Sequence, residues 1–274
     1  MYYVTTELKK NKELRKTILD NIKFKEFSFS KKTKFYNKEN ANPLILGSAY
    51  EIVLQVEKLK KEKNPYELRN LKFNRGINLI MSIDQSIMTK KVLKNVKYWI
   101  QKYNKSMYIL IKYIKGKKIK AKKIAEAILF LNFISYFREV KNIFYFKPKY
   151  TKEDIYEVAT FIKGIKKKLL KKIFKGEKSV SFNYLLSKGY LAGEIDILTS
   201  KTIYDIKTTS YPTFTKDMII QLILYYFLSK EKQKQGAIVF SKFNHIEYIN
   251  IQKIFKKKGL KKIKRILKKN YNFT

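Results

Sequence analysis

Residues 193–208 read Gly-Glu-Ile-Asp-Ile-Leu-Thr-Ser-Lys-Thr-Ile-Tyr-Asp-Ile-Lys-Thr. Asp196 and Asp205 are symmetric about the pair Ser200-Lys201, so a two- or four-residue turn at that pair sets them opposite each other on antiparallel strands. Like charges that face each other across a hairpin are destabilising unless a cation lies between them. The stretch therefore predicts a β-hairpin that holds a divalent metal ion.

Period-two alternation along the two strands assigns the other side chains of this hairpin to faces. Glu194 and Lys207 join the carboxylates on one face, and Glu194 could bind a second metal ion there. The opposite face is apolar and consists of Ile195, Ile197, Tyr204 and Ile206. An ordinary exposed hairpin with solvated, weakly paired charges is the alternative interpretation.

The order of short motifs resembles that of the PD-(D/E)XK nucleases. Gly-x-x-Asp at 193–196 and Asp-x-Lys-Thr at 205–208 look like motifs II and III of that superfamily. Gln-x-x-x-Tyr at 221–225 is similar to the motif of its RecB-like branch, which includes CRISPR-associated and archaeal-virus nucleases. Gly-Ser-Ala-Tyr-Glu at 47–51 resembles the Gly-Ser/Thr-x-x-His motif of the first core helix. Glu51 stands where histidine is usual, and exonucleases of the phage lambda type carry a glutamate on that helix.

The resemblance implies an α/β fold in which a restriction-endonuclease-like core, with the order α-β-β-β-α-β and a mixed sheet, carries a large helical insertion. It implies metal-dependent hydrolysis of DNA to 5′-phosphates. The ligands of Mg²⁺ or Mn²⁺ would be the carboxylates of Glu51, Asp196 and Asp205 and the carbonyl of Ile206. All-oxygen ligation suits these hard cations. Lys207 would orient or help deprotonate the attacking water, and the remaining site residues, which would position the substrate, are Gln221 and Tyr225.

An exonuclease with single-strand activity is the first expectation for the function, and a structure-selective or restriction-type endonuclease is the second. A non-catalytic basic DNA-binding protein with a degenerate nuclease fold is an alternative of another class. The virus-encoded nucleases within the resemblance leave a viral or mobile-element origin open.

Composition excludes several kinds of site. The chain has 274 residues and no cysteine, which rules out a disulfide framework and the four-cysteine iron–sulfur cluster of some relatives. A single histidine, His245, excludes histidine-based metal clusters and Ser-His-Asp triads. The sequence has no phosphate-binding loop, so any helicase activity in recombination or replication would come from a separate partner.

The formal net charge of +40 points to a polyanionic partner, and DNA is the expected one. Compositional bias toward lysine is an alternative explanation, and an anionic membrane fits less well because no basic segment is a clean amphipathic helix with bulky anchors. The longest apolar run, residues 218–228, is too short to span a bilayer. The first residues lack a signal-peptide pattern, so we expect a cytoplasmic protein.

Hydrophobic periodicity and turn residues divide the chain into five segments. These are an N-terminal segment (1–42), the first core helix (43–65), a helical insertion (66–178), the nuclease core (179–251) and a basic C-terminal helix (252–274). Within them, the pattern predicts helices at 7–22, 43–63, 78–88, 93–113, 119–137, 216–230 and 252–269. A loop is expected at 31–42, and strands are expected at 179–186, 190–198, 202–206, 237–241 and 246–251.

Overall fold

A computed structural model describes residues 2–29, 43–71, 73–82, 89–135, 150–165, 167–177, 179–209, 211, 213–230 and 233–273. The fold is mixed α/β, and the described residues contain ten α-helices and a mixed β-sheet. Close contacts divide the chain into two units. One unit, the sheet unit, comprises Met1–Thr33 and Lys171–Thr274, and the other, the helical unit, comprises Lys34–Leu170.

The helical unit is built around one central helix. Its helices are α3 (Pro43–Glu62), α4 (Phe73–Met81), α5 (Lys90–Ile114), α6 (Ala121–Ser135) and α7 (Lys152–Gly164), with a 3₁₀ turn at Tyr66–Asn70. Helix α6 contacts α3, α4, α5 and α7. It can do so because Ile124, Ala125 and all residues from Ala127 to Leu131 are buried, and a helix that is apolar on all sides packs inside a bundle.

Local signals set the ends of these helices. Pro43 opens α3, where its missing N–H has no intrahelical partner to lose. Thr151 and Asp154 form a capping box at the start of α7, in which each side chain accepts the backbone N–H of the other. Lys63, with a φ of 54°, follows the last residue of α3 and turns the chain out of the helix.

The sheet unit contains the remaining elements. Its helices are α1 (Val4–Lys10), α2 (Lys12–Asp20), α9 (Lys216–Leu228) and α10 (Gly259–Tyr271), and α8 (Lys167–Phe174) contains the boundary between the units. The strands are β1 (Tyr2–Tyr3), β2 (Phe27–Ser28), β3 (Val180–Lys188), β4 (Leu191–Thr199), β5 (Thr202–Lys207), β6 (Thr213–Phe214), β7 (Gln235–Phe240) and β8 (His245–Asn250). A second 3₁₀ turn covers Ser241–Phe243. Strands β2 and β6 form a separate antiparallel pair.

The main sheet opens along one edge of β4. The other edge of β4 pairs with antiparallel β3 at every residue except Asp196. The opening edge pairs with parallel β1 at Leu191 and Ala192 and with antiparallel β5 at Ile197 and Leu198. Among the described strands, the intervening residues 193–196 have no partner on that edge. Strand β5 continues the sheet to parallel β7, which pairs with antiparallel β8.

Helix α9 connects β5 to β7 and covers β4, β5 and β7. Thr215 caps its first turn by accepting the N–H of Met218. Ten consecutive residues, from Ile219 to Leu228, are buried. A helix that is buried on every side lies inside the core, and α9 therefore packs directly on the strands that carry the candidate residues.

Several predicted element bounds need correction. The helix expected at 7–22 is two helices, because the Asn11 side chain accepts the N–H of Leu14 and starts a new helix there. The helix expected at 78–88 begins earlier, at Phe73, and ends at Met81; residues 83–88 lie outside the described residues, as does the predicted loop at 31–42. The final helix begins at Gly259, not at residue 252.

The late start of α10 has a clear cause in the backbone hydrogen bonds that precede it. The N–H of Lys23 donates to the carbonyl of Ile254 (2.6 Å), and the N–H of Lys256 donates to the carbonyl of Asn21 (2.9 Å). These bonds hold residues 254–256 against the N-terminal segment in a non-helical conformation. The pattern of a basic helix was therefore correct for the second half of the segment and wrong for the first.

The predicted mixed α/β class is confirmed, and most core strands lie within two residues of the predicted bounds. The predicted division into five segments stays a prediction. In the part of the chain that the structure describes, no helix is both long and apolar enough to cross a membrane.

Candidate active site

The predicted hairpin register is correct. Ile197 pairs with Tyr204 and Leu198 pairs with Ile203, around a two-residue Ser200-Lys201 turn. The Thr199 hydroxyl stabilises this turn, since it accepts the N–H of Thr202 at 3.0 Å and donates to the carbonyl of that residue at 3.1 Å.

The strands separate where the next pair in this register, Asp196 and Asp205, would form. Instead of a strand partner, the Asp196 carboxylate accepts the backbone N–H of Ile206 at 2.6 Å. This charge-assisted hydrogen bond holds Asp196 at the opening of β4. Ile206 was predicted to bind the metal ion through its carbonyl. The structure shows that its N–H holds the Asp196 carboxylate.

Asp205 is the buried centre of the site, with only 3% of its surface exposed. The Lys207 ammonium lies 2.6 Å from Asp205 Oδ2, an ion pair that lacks the direction of a hydrogen bond. Gln221 Nε2 donates to Asp205 Oδ1 at 3.1 Å. Residues from β5 and α9 therefore meet at one carboxylate.

Gln221 uses its whole amide group within this network. Its Nε2 donates to Asp205 and, at 2.8 Å, to the Tyr225 hydroxyl, while its Oε1 accepts from Lys207 at 3.0 Å. A carboxamide with both N–H groups and its oxygen engaged acts as a rigid connector. The predicted orientation of Gln221 and Tyr225 toward the hairpin, from their spacing on one helix face, is confirmed.

The environment changes the pKa of each charged group. Burial raises the pKa of Asp205 to about 6, against the opposing charge of Lys207 and with a further increase from nearby Asp196. Burial alone would lower the pKa of Lys207, but the charge of Asp205 outweighs it and the pKa is raised. Burial and the Asp205 charge raise the pKa of Tyr225. At neutral pH the site therefore holds an ionised Asp205, a charged Lys207 and a neutral tyrosine.

Two residues support the site in ways that the sequence did not indicate. A Cβ on Gly193 would lie 2.7 Å from Cε1 of Tyr225, so only glycine lets the tyrosine ring pack against β4. The Ser241 hydroxyl donates to the carbonyl of Lys207 at 3.1 Å and fixes the end of β5. Gly193 belongs to the Gly-x-x-Asp motif, so its position was visible in the sequence although its contact was not.

Two further acids were predicted for the site. Glu194 is on β4 and exposed. Glu51 lies on α3 in the helical unit and is 7% exposed, so it is not a solvated helix residue. The described residues include no group of three or more His, Cys, Asp or Glu side chains arranged to hold a metal ion. The contribution of Glu51 to a metal site stays a prediction.

The donors at the hairpin nevertheless fit a hard divalent cation. Asp196 and Asp205 supply carboxylate oxygens from adjacent strands, and all the candidate ligands are oxygens. Asp205 is buried, and a buried carboxylate is costly unless a cation is close. Lys207 provides one such charge, and a metal ion would provide a stronger one.

No family model, curated protein or solved structure matches this chain. The geometry of Asp196, Asp205, Lys207, Gln221 and Tyr225 therefore carries the functional argument.

Proposed function

We propose that the sheet unit is a metal-dependent nuclease that hydrolyses phosphodiester bonds of DNA and leaves 5′-phosphates. The observation that supports it most is Asp205, a buried carboxylate between Lys207 and Asp196 at the point where β4 and β5 separate. An ion pair that serves stability alone usually lowers the pKa of its carboxylate, whereas that of Asp205 is raised. Such a shift at an opening in a sheet is typical of functional groups.

The order of the strands supports a restriction-endonuclease-like core. Three successive antiparallel strands, β3, β4 and β5, are followed by the crossover helix α9 and by β7, which is parallel to β5. This matches the β-β-β-α-β part of the order that the motif resemblance implies. Five candidate residues lie on the second and third of these strands and on the crossover helix: Asp196, Asp205, Lys207, Gln221 and Tyr225.

Mg²⁺ or Mn²⁺, held by Asp196 and Asp205 with the Ile206 carbonyl as a further proposed ligand, would stabilise the charge that develops on the scissile phosphate. Lys207 stays charged at neutral pH because its pKa is raised. We therefore assign it to orient the attacking water and a phosphate oxygen by donating hydrogen bonds, and not to remove the proton from water.

We assign Gln221 to position Lys207 and Asp205 and not to ligate the cation, because its amide oxygen already accepts from the Lys207 ammonium and its N–H groups donate to Asp205 and Tyr225. The Tyr225 hydroxyl accepts from Gln221 with its oxygen, which leaves its own hydrogen to donate to a phosphate oxygen. These two residues keep the reacting groups in fixed positions, and such preorganisation is a major source of catalysis.

DNA is proposed as the substrate because of the basic charge of the sheet unit. The exposed positions of α10 include six basic residues and no acid: Lys261, Lys262, Lys264, Arg265, Lys268 and Lys269. Phosphate contacts by such a helix are independent of sequence. An exonuclease with single-strand activity is the first proposal, followed by a structure-selective or restriction-type endonuclease. The same helix would serve a non-catalytic DNA-binding protein, which is the alternative from another class.

End-labelled single- and double-stranded DNA, incubated with and without Mn²⁺, distinguishes these functions. We expect cleavage only with the metal, and we expect Asp205→Ala and Lys207→Ala to abolish it while DNA binding is retained. Lys201→Ala, which removes a lysine from the turn of the same hairpin, is the matched control and should cut normally. Binding without cleavage by the wild type in Mn²⁺ and in Mg²⁺ would instead support the non-catalytic alternative.

A further inference from the structure

Three grooves of the helical unit are lined by ten lysines and one acid. The grooves are therefore at least as basic as the whole chain, which has 62 basic and 22 acidic residues. The single acid, Glu126 on α6, lines two of the grooves, which places these two on either side of that helix.

The first groove lies between α5 and α6 and has a volume of about 360 Å³. Its basic residues are Lys102, Lys105 and Lys123, and Tyr98 lines it with 48% of its surface exposed. An exposed tyrosine ring beside several ammonium groups can stack a base while the lysines contact phosphates.

The second groove lies between α6 and α7 and repeats this composition, with a volume of about 530 Å³. Lys122, Lys152 and Lys163 line it, together with Tyr156, which is 43% exposed. The third groove, at the loop between α5 and α6, has no acid among its lining residues, and its lysines are Lys60, Lys117, Lys118 and Lys120.

The surroundings of the Lys102 ammonium in the first groove favour the binding of an anion. Its ammonium is half-buried and donates to the hydroxyls of Tyr98 (3.2 Å) and Tyr150 (3.1 Å), and it lies 4.8 Å from the centre of the Phe130 ring. Among the described residues, no carboxylate forms an ion pair with it. A partly desolvated cation with only neutral partners gains most from an incoming anion.

We propose that these grooves form a binding site for single-stranded nucleic acid, with the lysines on the phosphates and Tyr98 and Tyr156 stacked on unpaired bases. Duplex bases are already stacked on one another, so the tyrosines would contribute only to a single strand. The site does not depend on cleavage at the hairpin. It would hold a strand through the helical unit whether or not the sheet unit hydrolyses it.

The only tryptophan of the chain provides a local reporter of this site. Trp99 is buried, and the centre of its ring lies 5.1 Å from that of Tyr98. We would titrate the full chain with single-stranded oligonucleotides, DNA and RNA in separate arms, in EDTA so that no cleavage occurs. Trp99 emission reports binding at α5, and anisotropy of a labelled strand reports total affinity.

Tyr98→Ala should weaken single-strand binding by roughly fivefold or more, and Tyr98→Phe should restore it, because stacking needs the ring and not the hydroxyl. The triple change Lys102→Gln, Lys105→Gln and Lys123→Gln should reduce the slope of log affinity against log salt by about 2, at about 0.7 for each lost phosphate contact. The control, Lys94→Ala with Lys97→Ala, removes exposed charges of α5 that do not line the groove. It should change the slope less.

Glu126→Gln should tighten binding by roughly two- to fivefold, because it removes the acid that repels phosphates. The proposal is overturned if Trp99 emission does not respond to saturating single strands, if Tyr98→Ala and Glu126→Gln both leave the affinity unchanged, or if duplex binds as tightly as single strands. Because cleavage is not measured, failure here leaves the nuclease proposal standing.

Discussion

Replacing Asp205 by asparagine should change the pH dependence of stability in a defined direction. Burial raises the pKa of Asp205 from the ordinary 3.8 to about 6 in the folded chain. The folded state therefore holds this proton more tightly than the unfolded state does. Its contribution to the free energy of unfolding is fully present below about pH 4 and is lost as the pH rises through about 6.

The magnitude follows from the difference between the two pKa values. Each pKa unit corresponds to roughly 1.4 kcal/mol, so ionising Asp205 in the folded chain costs about 3 kcal/mol of stability in total. Solvent screening does not reduce this value much, because Asp205 is 3% exposed. Asp205→Asn removes the titration and keeps the side-chain size, although its amide would face the Lys207 ammonium and add a constant, pH-independent penalty.

The assay is urea unfolding of the full chain, followed by circular dichroism in EDTA at several pH values between 4 and 7.5. The free energy of unfolding of Asp205→Asn, measured relative to that of the wild type, should increase by roughly 2 to 3 kcal/mol as the pH rises from 4 to 7.5. Asp217→Asn, which removes a carboxylate of α9 that is 61% exposed, is the control for the loss of one negative charge. A pH-independent difference for Asp205→Asn, or one that grows toward low pH, would contradict a raised pKa of Asp205 in the folded chain.

Three further predictions concern Gln221, Gly193 and Glu51. Gln221→Ala should lower cleavage more than it lowers Mn²⁺ affinity and should cost about 1–3 kcal/mol of stability, because it leaves buried partners unpaired; lost Mn²⁺ binding in calorimetry, with the fold intact, would contradict this. Gly193→Ala should displace the Tyr225 ring, because the new Cβ would lie 2.7 Å from Cε1; we expect cleavage to fall, and a crystal structure with an unmoved ring would oppose this. Glu51→Gln should weaken Mn²⁺ binding and cleavage together, and unchanged values of both would remove Glu51 from the site.

The hairpin shows which parts of the site can be predicted from sequence. The symmetry of Asp196 and Asp205 about Ser200-Lys201 fixed the register, because a two-residue turn leaves one choice of partner for each strand residue. The separation of β4 and β5 beyond the pair Ile197 and Tyr204, on the side away from the turn, could not be predicted. It depends on the carboxylate of Asp196 accepting the N–H of Ile206, and no local pattern encodes that bond.

Helix α9 shows the same division. The spacing of Gln221 and Tyr225 predicts that both lie on one helix face. The hairpin that precedes them in the sequence indicated that this face is directed toward the hairpin. The hydrogen bond between Gln221 and Tyr225 and the close approach of Tyr225 to Gly193 depend on how α9 packs on β4. Packing distances of this kind are tertiary properties that periodicity does not contain.

Very short elements and long-range backbone bonds were also beyond the sequence pattern. Strand β1 has two residues and pairs with β4 far along the chain. The start of α10 is delayed by bonds from residues 254–256 to the N-terminal segment. In both cases the deciding partner lies more than 180 residues away, where local propensity has no influence.

Calorimetric titration of Mn²⁺ into the full chain without DNA is the most direct test of a metal site at the hairpin. We expect saturable binding to the wild type and to Asp217→Asn, and a loss of about tenfold or more in affinity for Asp196→Asn and for Asp205→Asn. Equal Mn²⁺ affinity in all four proteins, with their folds intact, would contradict a metal site at the hairpin.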